Sequence, residues 1–162
     1  MSKRLLMLGA GFMQGVAIRS AKSRGWEVVV VDGNPLAPCA GLADLFEPID
    51  LKDTTALVRF ARSIKDERGL DGVFTAATDF SLSVAKIAEA CGLPGHSVEA
   101  AANASDKIRM RRRFAECGVP SPAFVGIDRE SAAGVDGLLE SAGISFPLVV
   151  KPVDNMGARG CR

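Results

Sequence analysis

The chain has a single histidine, His96, and only four cysteines, Cys39, Cys91, Cys117 and Cys161. None of the cysteines forms a CxxC pair, and no histidine cluster lies near them. That scatter argues against a zinc site, whose ligands come in close pairs, and no metal ligand is assigned. It suits a reducing compartment, where isolated cysteines serve as small apolar side chains. There is also no excess of charge, with 20 Lys and Arg against 19 Asp and Glu. This excludes the strongly basic surface of a nucleic-acid binder and an acidic tail, though not a local patch. No apolar run approaches the roughly 20 residues needed to cross a bilayer. A basic start followed by Leu5, Leu6, Met7 and Leu8 is broken by Gly9 and Gly11 too early for a signal peptide. A cytoplasmic protein without membrane or nucleic-acid partners is expected. Repeats and low-complexity tracts are lacking.

What is present is a chain of 162 residues, 48% hydrophobic and 24% charged, with room for one domain and part of another. Apolar runs at 4–8, 27–31, 46–49 and 72–76 read as strands. Helical spacing follows Gly15, with Val16, Ile18 and Ala21, and recurs over 54–67, with Leu57, Phe60, Ala61 and Ile64, and over 80–90. Strands apolar on both faces and separated by helices predict an α/β, Rossmann-like parallel sheet covered on both sides, over residues 1–95. Beyond Pro94 the character changes. Helices are expected at 97–104, from Lys107 to Cys117 and at 131–142, and strands at 122–127 and 147–151. Residues 96–162 thus read as linker helices and the incomplete start of a second domain.

Several positions carry chemistry, each with a structural alternative. Gly9-x-Gly11-x-x-Gln14-Gly15 nearly matches the dinucleotide fingerprint, and Asp32 follows at about the 20-residue interval of a ribose-binding carboxylate. A strand-to-helix turn needs glycine whatever it binds, and Gln14 replaces the third glycine. Thr78 and Asp79 follow the fourth strand, at the edge where open α/β sheets bind ligands, and either also suits a helix N-cap. Ser105 or Asp106 can cap the helix that begins with Lys107. Arg109, Arg111, Arg112 and Arg113 read as a solvated face, and His96 as a loop residue.

Lys151 ends the apolar run Phe146-Pro-Leu-Val-Val150, where a buried lysine would need an anionic partner, a phosphate or a neighbouring carboxylate. The following loop, with Gly157, Arg159 and Gly160, lets backbone N–H groups approach phosphate oxygens.

Taken in order, Leu-Gly-Ala-Gly-Phe-Met-Gln14, Val-Val-Asp32-Gly-Asn-Pro, Leu42-Ala-Asp44, Gly-Leu-Pro-Gly95, Ser-Asp-Lys107, Cys-Gly-Val-Pro-Ser-Pro122 and Phe-Pro-Leu-Val-Val-Lys-Pro152 resemble the N-terminal portion of an ATP-grasp enzyme. The resemblance extends to biotin carboxylase, the carbamoyl-phosphate synthase large subunit, and the ATP-dependent purine-biosynthesis carboxylases and ligases. It implies a Rossmann-like pre-ATP-grasp domain followed by a truncated ATP-grasp α+β module. It also implies ATP as cosubstrate, bound by Lys107, Lys151, Gly157, Arg159 and Gly160. Gly11, Gln14, Thr78 and Asp79 would face the second substrate across the domain junction. The implied chemistry is ligation of a carboxylate or bicarbonate to an amine through an acyl phosphate, with Mg2+ held by residues downstream of this chain. The chain alone is therefore expected to be inactive. Two readings compete: an NAD(P)-binding oxidoreductase domain, and a non-catalytic nucleotide-binding or assembly module that forms a homo-oligomer through an unfinished sheet edge.

Overall fold

The computed structural model describes residues 2–155 and 157–162. The chain divides into two compact units, one reaching to Ala101 and one beginning at Ala102.

In the first unit, β1 (Arg4–Leu8), β2 (Glu27–Asp32), β3 (Leu45–Pro48) and β4 (Gly72–Thr75) form one parallel sheet in the order β3-β2-β1-β4. Three helices cover it: α1 (Phe12–Ser23), α2 (Thr54–Arg68) and α3 (Ser81–Ala90). Side chains alternate across a strand, and both faces here are apolar. Leu6 and Leu8 join Val29 and Val31 against Leu57, Ala61 and Ile64 of α2 and Ile87 of α3. Met7, Val28 and Val30 face the other way, against Ile18 and Ala21 of α1. Val28, Val29, Val30 and Val31 are all fully buried, which is why this run shows no polar alternation.

The chain enters and leaves these helices at defined points. Asp53 caps α2 by accepting the Ala56 N–H at 2.9 Å, and Gly69, at φ 78°, ends it. From β1 the chain moves through α1 to β2 and then β3, and α2 carries it back to β4 on the far side of β1. Opposite directions of travel with right-handed crossovers put α1 and α2 on opposite faces. The order therefore reverses between β1 and β4, and a crevice opens at their carboxyl ends.

The amino edge is tied by charge. Arg4 pairs with Glu27 at the start of β1 and β2, its N–H donates to Asp71 at 2.7 Å, and its guanidinium reaches the Gly69 carbonyl at 2.7 Å. The hydrogen bond from Arg4 holds the Glu27 carboxyl below the usual range, and the Arg4 and Arg68 charges add to it against the opposing effect of burial. A lowered carboxyl pKa stabilises the fold above the unfolded value, near 4.3, and that contribution disappears as pH falls through the folded value. Glu27→Gln should therefore flatten the acid limb of the stability profile. Urea midpoints read by Trp26 fluorescence at about pH 7 and about pH 3 should differ less than in the parent chain. Parallel profiles would remove Glu27 from acid unfolding.

The second unit is built differently. The last turns of α4 (Val98–Ser105) lead into α5 (Lys107–Glu116), capped by Asp106, which accepts the Arg109 N–H at 2.8 Å. The expected strand at 122–127 is irregular. The expected helix at 131–142 is a 3-10 turn, Ser131–Gly134, followed by α6 (Val135–Ser141). The expected strand at 147–151 is also irregular, although Val150 and Arg162 exchange both backbone hydrogen bonds at 2.8 and 2.9 Å. A strand is defined by its neighbour, and among the described residues neither segment has a ladder to join. No described helix is long and apolar enough to cross a membrane.

Candidate functional site

The crevice above β1 and β4 is held by backbone groups and three side chains. Gly9 turns the chain at φ 97°, where a side chain would be strained, and donates its N–H to Val31 O at 2.8 Å. Gln14, one turn into α1 and 7% exposed, folds back over this turn. Its Nε2 donates to the Ala76 carbonyl, and its Oε1 lies 2.8 Å from where a Cβ on Gly11 would sit. A side chain at Gly11 would thus displace the Gln14 amide, and the glutamine occupies the space over the glycines. Behind it, Gly15 packs on Cys39, whose Sγ would lie 2.6 Å from an added Cβ.

Across the crevice, the Thr75 hydroxyl donates to Leu8 O at 2.8 Å and lies 2.6 Å from the Thr78 hydroxyl. With the Thr75 proton given to Leu8, Thr78 must be the donor between the two threonines. Thr78 Oγ1 also accepts the Phe80 N–H at 3.3 Å. Between them Ala77 holds φ 52°, a left-handed conformation that costs a non-glycine residue about 1 kcal/mol or more. Asp79 is half-buried beside this turn, and Phe80 is the N-cap residue of α3. Gly11, Gln14, Thr78 and Asp79 thus converge on one edge. Thr75, which latches β4 to β1, was not singled out from the sequence. A hydroxyl on the last strand residue was its only signal.

Asp32 does not stand free for a ribose. One carboxylate oxygen accepts the N–H of fully buried Ala10 at 2.7 Å, and the other accepts the Asn34 N–H at 2.8 Å. A backbone donor in the glycine turn that would otherwise face a pyrophosphate is taken by this carboxylate. With Gln14 filling the space above, the turn is closed by the protein's own groups.

In the second unit, Lys107 starts α5 and is half-buried, its ammonium donating to Asn155 O at 2.6 Å and Val153 O at 3.3 Å. Lys151 is exposed, so it carries no burial penalty demanding a partner. Gly157, Ala158 and Gly160 hold φ 64°, 57° and 76°, and Arg159 between them is exposed. Left-handed residues in a short loop turn backbone N–H groups to one side, an arrangement that accepts anions. Gly160 also lies against Pro152, whose Cγ would be 2.8 Å from an added Cβ. Met156, inside this loop, lies outside the described residues. A groove of about 460 Å3 on the α2–α3 layer, lined by Thr54, Thr55, Val58, Arg59, Arg62 and Lys86, contains none of the expected site residues.

A doubly wound sheet with a glycine turn at its switch point, closed by amide and hydroxyl groups, defines a Rossmann-like α/β domain without an open pyrophosphate cradle. Residues 18–95, within the first unit, match the ATP-grasp N-terminal domain family. The chain is 32% identical over 160 residues to a formate-dependent phosphoribosylglycinamide formyltransferase of Burkholderia mallei, covering 97% of this chain and 38% of that one. Among solved structures it is similar to L-amino acid ligase from Bacillus licheniformis, at TM-score 0.78 and 26% identity, covering 95% of this chain and 37% of the other. It is likewise similar to phosphoribosylglycinamide synthetase from Anaerococcus prevotii, at TM-score 0.69 and 29% identity, covering 95% and 38%. The chain therefore spans well under half the length of these relatives. The likeness falls on a formyltransferase, an amino-acid ligase and a synthetase, and the family match over residues 18–95 agrees with the ATP-grasp motif order, without showing the narrower likeness to biotin carboxylase or carbamoyl-phosphate synthase.

Proposed function

We propose that this chain supplies the N-terminal part of an ATP-dependent ligase that joins a small carboxylate, or bicarbonate, to an amine. The observation that carries the proposal is the succession of an ATP-grasp N-terminal domain by a lysine-bearing loop with left-handed backbone at Gly157, Ala158 and Gly160. In this reading the first unit offers Gln14, Thr78 and Asp79 to the acceptor substrate, and the second offers Lys107, Lys151, Arg159 and the loop amides to ATP. A carboxylate oxygen attacks the γ-phosphorus, the bond to ADP breaks, and an acyl phosphate forms. The amine nitrogen then attacks the acyl carbon, phosphate leaves, and the nitrogen loses a proton. Backbone N–H groups and lysine charge position the phosphates and offset the developing negative charge. Magnesium, when bound, would neutralise charge on the phosphates. The named relatives suggest formate or an amino acid as the activated acid, and a ribonucleotide or amino-acid amine as acceptor.

The dinucleotide alternative has the Asp32 and Gln14 contacts against it. Calorimetric titration with Mg-ATP and, separately, NADH tests both readings. Mg-ATP should bind, and Lys151→Ala should weaken it about 10-fold or more, the loss of one charge-assisted hydrogen bond. NADH binding abolished by Gly11→Ala would favour an oxidoreductase domain. Binding of neither would count against a nucleotide site formed by residues 107–160 of this chain.

A further inference from the structure

Away from the crevice, the groove on the α2–α3 layer gathers positive charge without balancing it. Thr55, Val58, Arg59 and Arg62 stand at i, i+3, i+4 and i+7 on α2, so they share one face of that helix over about 10 Å. Thr54 and, from α3, Lys86 complete the lining. The groove, of about 460 Å3, is thus bordered by three cations, two hydroxyls and one apolar side chain, and its described lining includes no carboxylate.

The nearest acids along the helices are Asp66, one turn beyond Arg62, and Glu89, one turn beyond Lys86. Among the described residues, neither they nor any other carboxylate forms an ion pair with Arg59, Arg62 or Lys86. Arg62 is nonetheless held in place. Its Nε donates at 3.3 Å to the carbonyl of Ala90, the last residue of α3, which is one of the carbonyls a helix end leaves unpaired. The guanidinium keeps four further N–H groups for another partner. Lys86 is half-buried and reaches the groove from the opposite helix.

Like charges around one groove repel, and a ligand that brings several negative charges close together relieves that repulsion. A guanidinium binds phosphate oxygens in pairs, and a lysine adds a point charge. The start of α2 does not supply the attraction, because Asp53 caps it and sets a carboxylate there. That charge favours the Arg62 end of the groove. No aromatic side chain lines it, so nothing there stacks on a nucleobase.

We propose that the α2–α3 groove binds an oligophosphate group of two or three phosphoryl units, held by Arg59, Arg62 and Lys86 with the Thr55 hydroxyl as a further donor. The site lies wholly in the first unit and does not depend on the ligase reading.

The test uses the whole chain, 15N-labelled, at about 50 mM salt and without magnesium, which would mask the phosphates. Sodium tripolyphosphate should shift the backbone amides of Val58, Arg59, Arg62 and Lys86 saturably, read separately from any change at residues 107–160. Arg59→Gln and Lys86→Gln should each weaken this binding about 3- to 5-fold, the range of an exposed charge pair, and together about 10-fold or more. Arg59→Lys should keep most of the affinity, and about 0.5 M salt should remove most of it. Arg62 is left unchanged because it also holds the end of α3. Should Lys86→Gln disturb the β1–β4 amides, Arg59→Gln and the salt series carry the comparison.

ATP without magnesium should match tripolyphosphate at these amides, and a hexaglutamate peptide should bind more weakly than either. Absence of saturable shifts, or shifts indifferent to Arg59→Gln and to salt, would overturn the site. ATP binding there far more tightly than tripolyphosphate would require a base contact and count against the proposal. A peptide that equals or exceeds tripolyphosphate would replace it with an acidic protein partner.

Discussion

Leu57→Ala should lower the stability of the first unit by about 2–5 kcal/mol, the range for emptying a buried leucine site. Leu57 is fully buried on α2, with Ala61 and Ile64 on the same side, and packs in the cluster that includes Leu6, Leu8, Val29, Val31 and Ile87. Alanine is the best helix former, so α2 gains slightly in propensity, and the loss isolates packing from helix formation. Relaxation is limited because the sheet beneath is fixed by its ladder and α3 adjoins the same cluster. Trp26, the only tryptophan, lies in this unit and reports its unfolding. A urea midpoint shift of that size with an unchanged slope is the expected result. Arg59→Ala on the exposed face of the same helix should stay within about 0.5 kcal/mol. Equal effects at the two positions would mean that α2 is not packed as described.

Asp32→Ala should cost about 1.5–3 kcal/mol, the value of a hydrogen bond to a charged group with a buried partner left behind. The Ala10 N–H has no access to water and donates to the Asp32 carboxylate at 2.7 Å. Losing Asp32 also frees the Asn34 N–H at the start of the next loop, but water can replace that partner because Asn34 is exposed. Asp32→Asn keeps one acceptor oxygen and should recover part of the loss. In labelled protein the Ala10 amide resonance should move upfield in Asp32→Ala and return partway in Asp32→Asn. An Ala10 amide and a urea midpoint both unaffected by Asp32→Ala would show that the carboxylate does not hold the turn and would reopen the ribose-binding reading.

The first unit was legible because its signals are local and redundant. Valines at 28–31 bounded by a turn, Leu57, Ala61 and Ile64 at helical spacing, and Gly9 and Gly11 after a strand each specify an element within a short window. Observed boundaries agree with the sequence expectation to within a residue or two in β1–β4, α2 and α3. The expected strands at 122–127 and 147–151 failed for the opposite reason. Their composition suits a strand, but a strand is completed by a neighbour, and the Val150–Arg162 pair is the beginning of such pairing without a ladder. The contacts at the carboxyl ends of β1 and β4 were legible in part. Gln14, Thr78 and Asp79 were marked by position, whereas the latch at Thr75 and the strain at Ala77 leave almost no trace in residue type.

Residue order alone determined the apolar periodicities, the glycine turn and the motif succession that aligns the chain with ATP-grasp proteins, because these depend on neighbours a few positions apart. Tertiary structure decided what the polar groups do. Asp32 was spaced for a ribose yet binds the Ala10 amide, Gln14 fills the room over the glycines, and the Lys107 ammonium rests on loop carbonyls. Hydrogen-bond donors and acceptors take whichever partner the fold brings within about 3 Å, and spacing along the chain cannot reveal which partner that is.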